Sequence, residues 1–388
     1  MELQEINSMF STINPESHIN HLPVELLQQI FSLIVHDWNT SDYHPSIFPL
    51  KYNANYSISA IFMAPPLLFT QVCRFWRVVA CLTTRLWSRI PDILSGGITN
   101  PLMPLLAEVP YLLQFWLACS GDHPLTLHID SRPFAVECGR RFQSFTHLEV
   151  NSRLLEILLA ESGRWETVTL MSFEECEVNM DTLDTPQLRT LECDIYDLKR
   201  FHAPNLSCLH VRGFSFISQD AIPLKPTPTT TNIQHLHLDY TSVHVICSTA
   251  VIFPRLKTFA VDWIFLGSER DIVTRSRLDI ESMTLPVSPL IDIRAKLIAI
   301  FKYLHLPVLQ KLILVSKPGS IQVAYVKAAL VAGSCFPRVI DFQTIIPLGE
   351  VDVGIVESLL EVVEEVTVRG EVVCCRASCT SKTSLQLV

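Results

Sequence analysis

From residue 124 to residue 370 the chain repeats one apolar phrase: a hydrophobic residue at i, another at i+3 and a third at i+5, often introduced by a proline. The instances are Pro124/Leu127/Ile129, Phe145/Leu148/Val150, Trp165/Val168/Leu170, Leu188/Leu191/Cys193, Leu206/Leu209/Val211, Ile233/Leu236/Leu238, Leu256/Phe259/Val261, Ile280/Met283/Leu285, Leu309/Leu312/Leu314, Val339/Phe342/Thr344 and Val363/Val366/Val368. Their first positions recur about every 24 residues, a period typical of stacked repeats. Alternation between i+3 and i+5 has the period of a strand, turning those side chains inward and i+2, i+4 and i+6 outward. Between the phrases, SRLLEILLAES, DIRAKLIAIFKYL, IQVAYVKAALVAG and VGIVESLLEVVEE carry helical spacing. The pattern predicts an α/β chain of strand, connection and helix units with parallel strands. One unit cannot shield its own apolar face, so the units must stack as a solenoid.

The first ninety residues follow another rhythm. In NHLPVELLQQIFSLIV, Leu22, Leu26, Ile30 and Ile34 fall on one helical face, joined by Leu27 and Phe31. Pro23 suits the first turn, where its missing N–H costs nothing. Helical spacing returns in LLFTQVCRFWRVVACLTTRLW, predicting Val72, Trp76, Val79 and Thr83 on one face with Arg74 and Arg77 in solvent.

LPVELLQQIF, then QVCRFWRVVA, then TTRLWSRI together resemble the F-box motif over residues 20–94, with an insertion at 37–62 as in fungal members. The resemblance implies a small three-helix head that docks on the Skp-type linker subunit of a cullin ubiquitin ligase, through apolar anchors that the head cannot bury. The positions matching the motif are Leu22, Pro23, Leu26, Leu27, Ile30, Phe31, Val72, Cys73, Trp76, Leu86 and Trp87. Beyond a linker at 95–123, the repeats of 124–370 are similar to degenerate leucine-rich repeats, which implies a curved parallel sheet with outer helices. The family's Asn or Cys at i+8 is missing: Phe173, Tyr196, Phe214, Thr241 and Ile264 stand there, so the turns need other hydrogen-bond partners. Residues 1–19 and 371–388 read as tails.

In this register the outward face shows His128, Glu149, Glu192, His210 and His237 at i+4, and Asp130, Asp194, Arg212, Asp239 and Asp262 at i+6. These are candidates for binding a protein client, one with a basic segment, by charge complementarity. His235 and His237 share a strand face, but strand spacing supplies no third ligand, so no metal site is expected.

Composition narrows the chemistry. The 388 residues are 48% apolar and 18% charged, with 30 Lys plus Arg against 39 Asp plus Glu; a net charge of −9 disfavours nucleic acid. No apolar stretch is long enough to span a bilayer, and SISAIFMAPPLLF is split by Pro65 and Pro66. The polar N-terminus lacks a signal-peptide core, so the 12 cysteines read as reduced thiols in a cytoplasmic or nuclear protein. Cys374, Cys375 and Cys379 lack zinc-ligand spacing. Only 12 glycines occur, and no P-loop, dinucleotide fingerprint, HExxH, GxSxG or EF-hand loop is present. The expectation is a non-enzymatic adaptor without cofactor, carrying a client to a cullin-type ligase. Its alternatives are an F-box or leucine-rich-repeat scaffold outside ubiquitin ligation and, less favoured, an α/β hydrolase or transferase.

Overall fold

The structure is a computed structural model that describes residues 22–40, 65–90, 108–130, 145–171, 182–212, 229, 231–265, 275–287, 293–316, 323–344 and 358–376. The chain divides into two units, Met1–Asn179 and Met180–Val388. Both mix helices with parallel strands, and among the described residues no helix is long and apolar enough to cross a membrane.

The first unit opens with three helices, α1 (Val24–Thr40), α2 (Pro65–Val72) and α3 (Arg74–Leu82). Pro23 lies one residue ahead of α1, where its carbonyl accepts from the Leu26 and Leu27 amides. The helical period expected from Leu67 to Trp87 is broken in the middle. Cys73 is extended, and its Sγ accepts from the Trp76 amide at 3.4 Å, capping α3. A side-chain cap competes with helix continuation, so Val72 ends one helix while Trp76 and Val79 belong to the next. The four residues expected on one face therefore do not share one.

Leu27 and Phe31 are fully buried, and Phe31 stacks on Phe69 at 4.1 Å and meets Trp76 edge-on at 5.0 Å. Trp87 closes the head from a 3₁₀ turn, Thr84–Trp87. It is fully buried, donates Nε1–H to the Ala80 carbonyl at 2.8 Å, and accepts at its own carbonyl from Trp116 Nε1–H at 2.8 Å. Trp116 belongs to α4 (Val109–Ser120), a helix inside the segment read as a linker. Immediately after Trp87, β1 (Arg89–Ile90) pairs in parallel with β2 (Leu125–Asp130), which pairs with β3 (Trp165–Met171). The closing Leu-Trp of the head thus leads straight into a sheet.

One predicted strand is absent. Phe145, Leu148 and Val150 lie in α5 (Phe145–Ala160). Spacing i to i+3 serves a helix as well as the repeat phrase, and the downstream SRLLEILLA continues the helical period through Leu154, Leu155 and Leu158, all buried.

In the second unit, β5 (Thr190–Asp194), β7 (Cys208–Arg212), β8 (His235–Ser242), β9 (Thr258–Phe265), β11 (Ser282–Val287), β13 (Lys311–Ser316), β14 (Val339–Thr344) and β15 (Glu365–Val368) lie side by side in chain order, all parallel. Short strands β4 (Leu183–Asp184) and β6 (Phe201–His202) pair separately, as do β10 (Ser276–Arg277) and β12 (Leu304–His305). The inward i+3 residues are direct register partners from Leu191 through Leu209, Leu236, Phe259, Met283, Leu312 and Ile340 to Val366. All are nearly or wholly buried, and each contributes about 1.5–3 kcal/mol of transfer free energy.

The same backbone device sets each register. The carbonyl at i+1 accepts from the next strand's i+1 and i+2 amides, as Ser207 does from Gln234 and His235, and Gln234 from Lys257 and Thr258. Arg338 does so for Glu364 and Glu365, which makes Pro337 the first position of β14's phrase. The inward set there is Pro337/Ile340/Phe342, displaced by two residues from the predicted Val339/Phe342/Thr344. A two-residue slip preserves the face of a strand, so pattern alone could not detect it.

Prolines close the turns. Thr185, Ala203, Phe253 and Leu306 each accept at their carbonyls from the amide three residues on, with proline next in line, the arrangement of a proline-initiated β-turn. Asn205 Nδ2 then donates to the Pro186 carbonyl at 2.7 Å, and Asn232 Nδ2 to that of Pro204 at 2.6 Å. These side chains, one residue before i, satisfy the turn backbone in place of the missing Asn at i+8.

The helices α7 (Val243–Ile252), α8 (Ile293–Tyr303) and α9 (Val323–Gly333) link successive strands, whereas α6 (Ile195–Leu198) is a single turn. VGIVESLLEVVEE contributes only a 3₁₀ turn, Ser358–Glu361, among its described residues before β15 begins. Residues 371–375, expected as tail, form β16 (Glu371–Cys375), antiparallel to β15. Arg369 and Gly370 both have positive φ, 53° and 82°, the two-residue turn that matches strand twist and favours glycine at its second position. Cys374 is consequently buried in the sheet rather than loose; Cys379 lies outside the described residues.

Asp341 anchors this hairpin. Its carboxylate pairs with Lys311 Nζ at 3.0 Å and accepts from Thr367 Oγ1 and the Gly370 amide. Burial pushes its pKa up, but the Lys311 contact and the two other hydrogen bonds prevail and hold it below the usual carboxylate value. A depressed folded pKa contributes stability that is complete above the unfolded value near ~3.9 and is lost as pH falls through the folded one. Asp341→Asn is expected to cost about 1–3 kcal/mol at pH 7, read from denaturant midpoints, with the gap to wild type closing below about pH 4. A gap independent of pH contradicts this role.

Candidate functional site

The register of β5, β7, β8 and β9 builds a charged cluster on the outward face. Glu192, His210 and His237 are partners at i+4 on three successive strands. Arg212 and Asp239 follow at i+6, and Asp262 lies at the same position of β9. Period-two alternation places i+4 and i+6 on one face, so three carboxylates, two imidazoles and one guanidinium share a small area.

These groups bind one another. Arg212 pairs with Glu192. His210 Nε2 hydrogen-bonds Asp239 Oδ1 at 2.5 Å while its Nδ1 faces Glu192 Oε1 at 3.3 Å. His237 Nε2 hydrogen-bonds Asp262 Oδ1 at 2.9 Å, and the two imidazoles stack at 4.1 Å, tilted by 8°. Side-chain exposure is 4% for His210 and 5% for Glu192, against 64% for Asp262, so the cluster grades from buried at β5 and β7 to open at β9.

Burial alone disfavours an imidazolium at His210, but hydrogen bonds to Asp239 and Glu192 and the charges of both carboxylates overcome it and raise the pKa to about 9. Burial draws Arg212 down to about 10 against the opposing pull of Asp239 and Asp262. His235 goes the other way: burial and the nearby Lys257 lower its pKa, and its Nδ1 is engaged with Thr258 Oγ1 at 2.8 Å. The pair read from strand spacing, His235 with His237, is thus not the one that converges. His237 meets His210 and Asp239 instead, and among the described residues these three have donor atoms close enough to share a metal ion.

The remaining candidates separate by position. Asp194 accepts from the Tyr196 amide at 3.1 Å and caps α6. His128 lies on β2 and is partly buried. Asp130 ends β2, with its side chain outside the described residues. Glu149 lies on α5 and leaves the strand row, and its side chain is likewise outside them. For a client, Glu192 and His210 are interior, whereas Asp262 and the margins of Asp239 and His237 face solvent.

The residues matching the head motif divide in the same way. Leu27, Phe31, Leu86 and Trp87 are interior props; Trp76 is half-buried in the aromatic cluster. Leu22, Ile30 and Cys73 are partly exposed, and Pro23, Leu26 and Val72 are exposed. Beside them Leu33, Phe75, Val78 and Leu82 also face solvent, a concentration of bare apolar side chains on helices shorter than twenty residues. The exposure of Phe75, Val78 and Leu82 follows from the helix break at Cys73, which sets the face of α3 that points outward and which the sequence spacing alone does not show.

No protein-family model matches this chain, and comparison with curated proteins finds no match.

Glu192 compensates both Arg212 and His210 inside the cluster, and removing one partner of a buried ionic network costs about 3–5 kcal/mol. Glu192→Gln is expected to lower the denaturant midpoint by that order, while His235→Gln, outside the network, shifts it by less than about 1 kcal/mol. Equal effects from the two substitutions would show that the network has no special energetic standing.

Proposed function

We propose that the chain is a substrate-recruiting adaptor: an F-box-like head docks on the Skp-type linker subunit of a cullin ubiquitin ligase, and the following strands, read as degenerate leucine-rich repeats, hold a protein client. The observation that carries this reading is the solvent-facing apolar set on α1, the end of α2 and α3: Leu26, Leu33, Val72, Phe75, Val78 and Leu82. These side chains lie outside the aromatic cluster of Phe31, Phe69 and Trp76 that holds the three helices together. Exposed apolar groups concentrated on paired helices are the surface that helix-in-groove partners cover. The three motif segments, in their order, supply the identity of that partner.

Such an adaptor does no chemistry. It raises the effective concentration of the client beside the ubiquitin-charged enzyme, so that binding is converted into transfer. Client contact falls to the open end of the charged cluster, around Asp262, where negative charge suits a basic segment. An adaptor of this kind works among reduced thiols in cytoplasm or nucleus. The second reading, an F-box or repeat scaffold outside ubiquitin ligation, shares the head and differs only in whether cullin accompanies the linker. A hydrolase or transferase is less favoured, since the charged groups of the cluster are satisfied by one another.

Leu26→Asp combined with Val72→Asp is expected to abolish co-purification with the Skp-type linker and cullin while leaving the thermal midpoint within about 2–4 °C, because both positions are exposed. The same outcome is expected for Leu22→Ala with Pro23→Ala. Undiminished linker binding by both double variants defeats the adaptor reading; loss of cullin alone from wild-type complexes selects the scaffold. For the client end, Asp262→Lys should release captured clients and retain the linker.

A further inference from the structure

We propose that His210, His237 and Asp239 form a binding site for a late first-row divalent cation, zinc in the first instance, that staples β7 to β8. One donor atom of each residue lies within 4.8 Å of the other two. The backbone makes this arrangement: His210 and His237 are register partners on neighbouring parallel strands, and Asp239 follows His237 by two residues on the same face. His210 Nε2 and Asp239 Oδ1 already lie 2.5 Å apart, and the imidazoles are stacked in parallel.

Zinc takes nitrogen and oxygen donors at about 2.0–2.1 Å, so a tetrahedral set requires donors roughly 3.3 Å apart. Reaching that spacing needs the His210–Asp239 pair to open from 2.5 Å and His237 to turn out of its stacked position, movements of side chains on a fixed backbone. The two residues that must rotate, His237 and Asp239, are the more exposed members, at 13% and 23%, while His210 stays fixed in the interior. Glu192, facing the other nitrogen of His210, is placed as the carboxylate that orients a metal-bound imidazole.

Charge favours the same occupant. Glu192, Asp239 and Asp262 carry three negative charges against the guanidinium of Arg212, so the cluster is net negative with or without a proton on His210. Two imidazoles with one carboxylate select zinc, cobalt or nickel over magnesium and calcium, which prefer oxygen. Three protein donors leave a fourth position for water. The inference rests on the strand register and is independent of the adaptor reading.

The test uses the full chain, stripped with chelator and titrated with zinc chloride by calorimetry, and separately with cobalt chloride followed by visible absorption. The expected results are one-to-one binding, a higher thermal midpoint reversed by chelator, and tetrahedral cobalt bands without sulfur-to-cobalt charge transfer. His237→Gln and Asp239→Asn should each abolish the one-to-one isotherm, and His235→Gln should keep it. No binding by the native chain, binding retained in both ligand variants, or a thiolate band in the cobalt spectrum overturns the proposal. The native cobalt spectrum decides the matter even if a variant fails to fold.

Discussion

The register between neighbouring parallel strands is the constraint on which the second unit depends. It is set where the carbonyl at i+1 accepts two amides from the next strand, and it is held by the row of apolar side chains from Leu191 to Val366. A displacement of one residue would turn every member of that row into solvent, so the hydrophobic gain enforces alignment. The proline turns ahead of β5, β7, β9 and β13 deliver each strand at the same point, and Asn205 and Asn232 satisfy the carbonyls that such turns leave behind.

Alignment of the inward row dictates the outward one. Glu192, His210 and His237 are neighbours because Leu191, Leu209 and Leu236 are. Their burial is costly for charged groups, and the cost is offset within the cluster: Arg212 answers Glu192, and His210 sits between two carboxylates. The polar row therefore has two parts with different uses, an interior network that fixes geometry and an open end at Asp262. In the first unit Trp87 has the corresponding position, since it fills the head and its carbonyl receives Trp116 just where β1 begins.

Much of this was legible in the sequence, and the failures have physical causes. Nine of the eleven apolar phrases form strands in the predicted register because i+3 and i+5 report a buried strand face directly. Phe145/Leu148/Val150 failed because its first spacing is equally helical and a longer helical period follows. The phrase at β14 slipped by two because period two is blind to that shift. The helix α7, VHVICSTAVI, went unread for want of a polar face: it is buried on most sides, and only the Ser242 side chain, accepting from the Val245 amide, marks its start. The cluster was half legible. Each member was visible as an outward polar residue, but the partnership of His210 with Asp239 joins positions 29 residues apart and required the register itself. In the head, motif spacing picked out the apolar positions, but not which of them stay in solvent, and on α3 that depends on the break at Cys73.

The register is open to direct measurement. Cys208 and His235 are register partners on β7 and β8, on the outward face, whereas Gln234 is one residue out of step. In a His235→Cys variant, a short thiol-reactive cross-linker followed by peptide mapping should join position 235 to Cys208 in high yield, and a Gln234→Cys variant should give no such link. Efficient linkage from position 234, or none from position 235, would contradict the alignment from which the core, the charged cluster and the proposed cation site all follow.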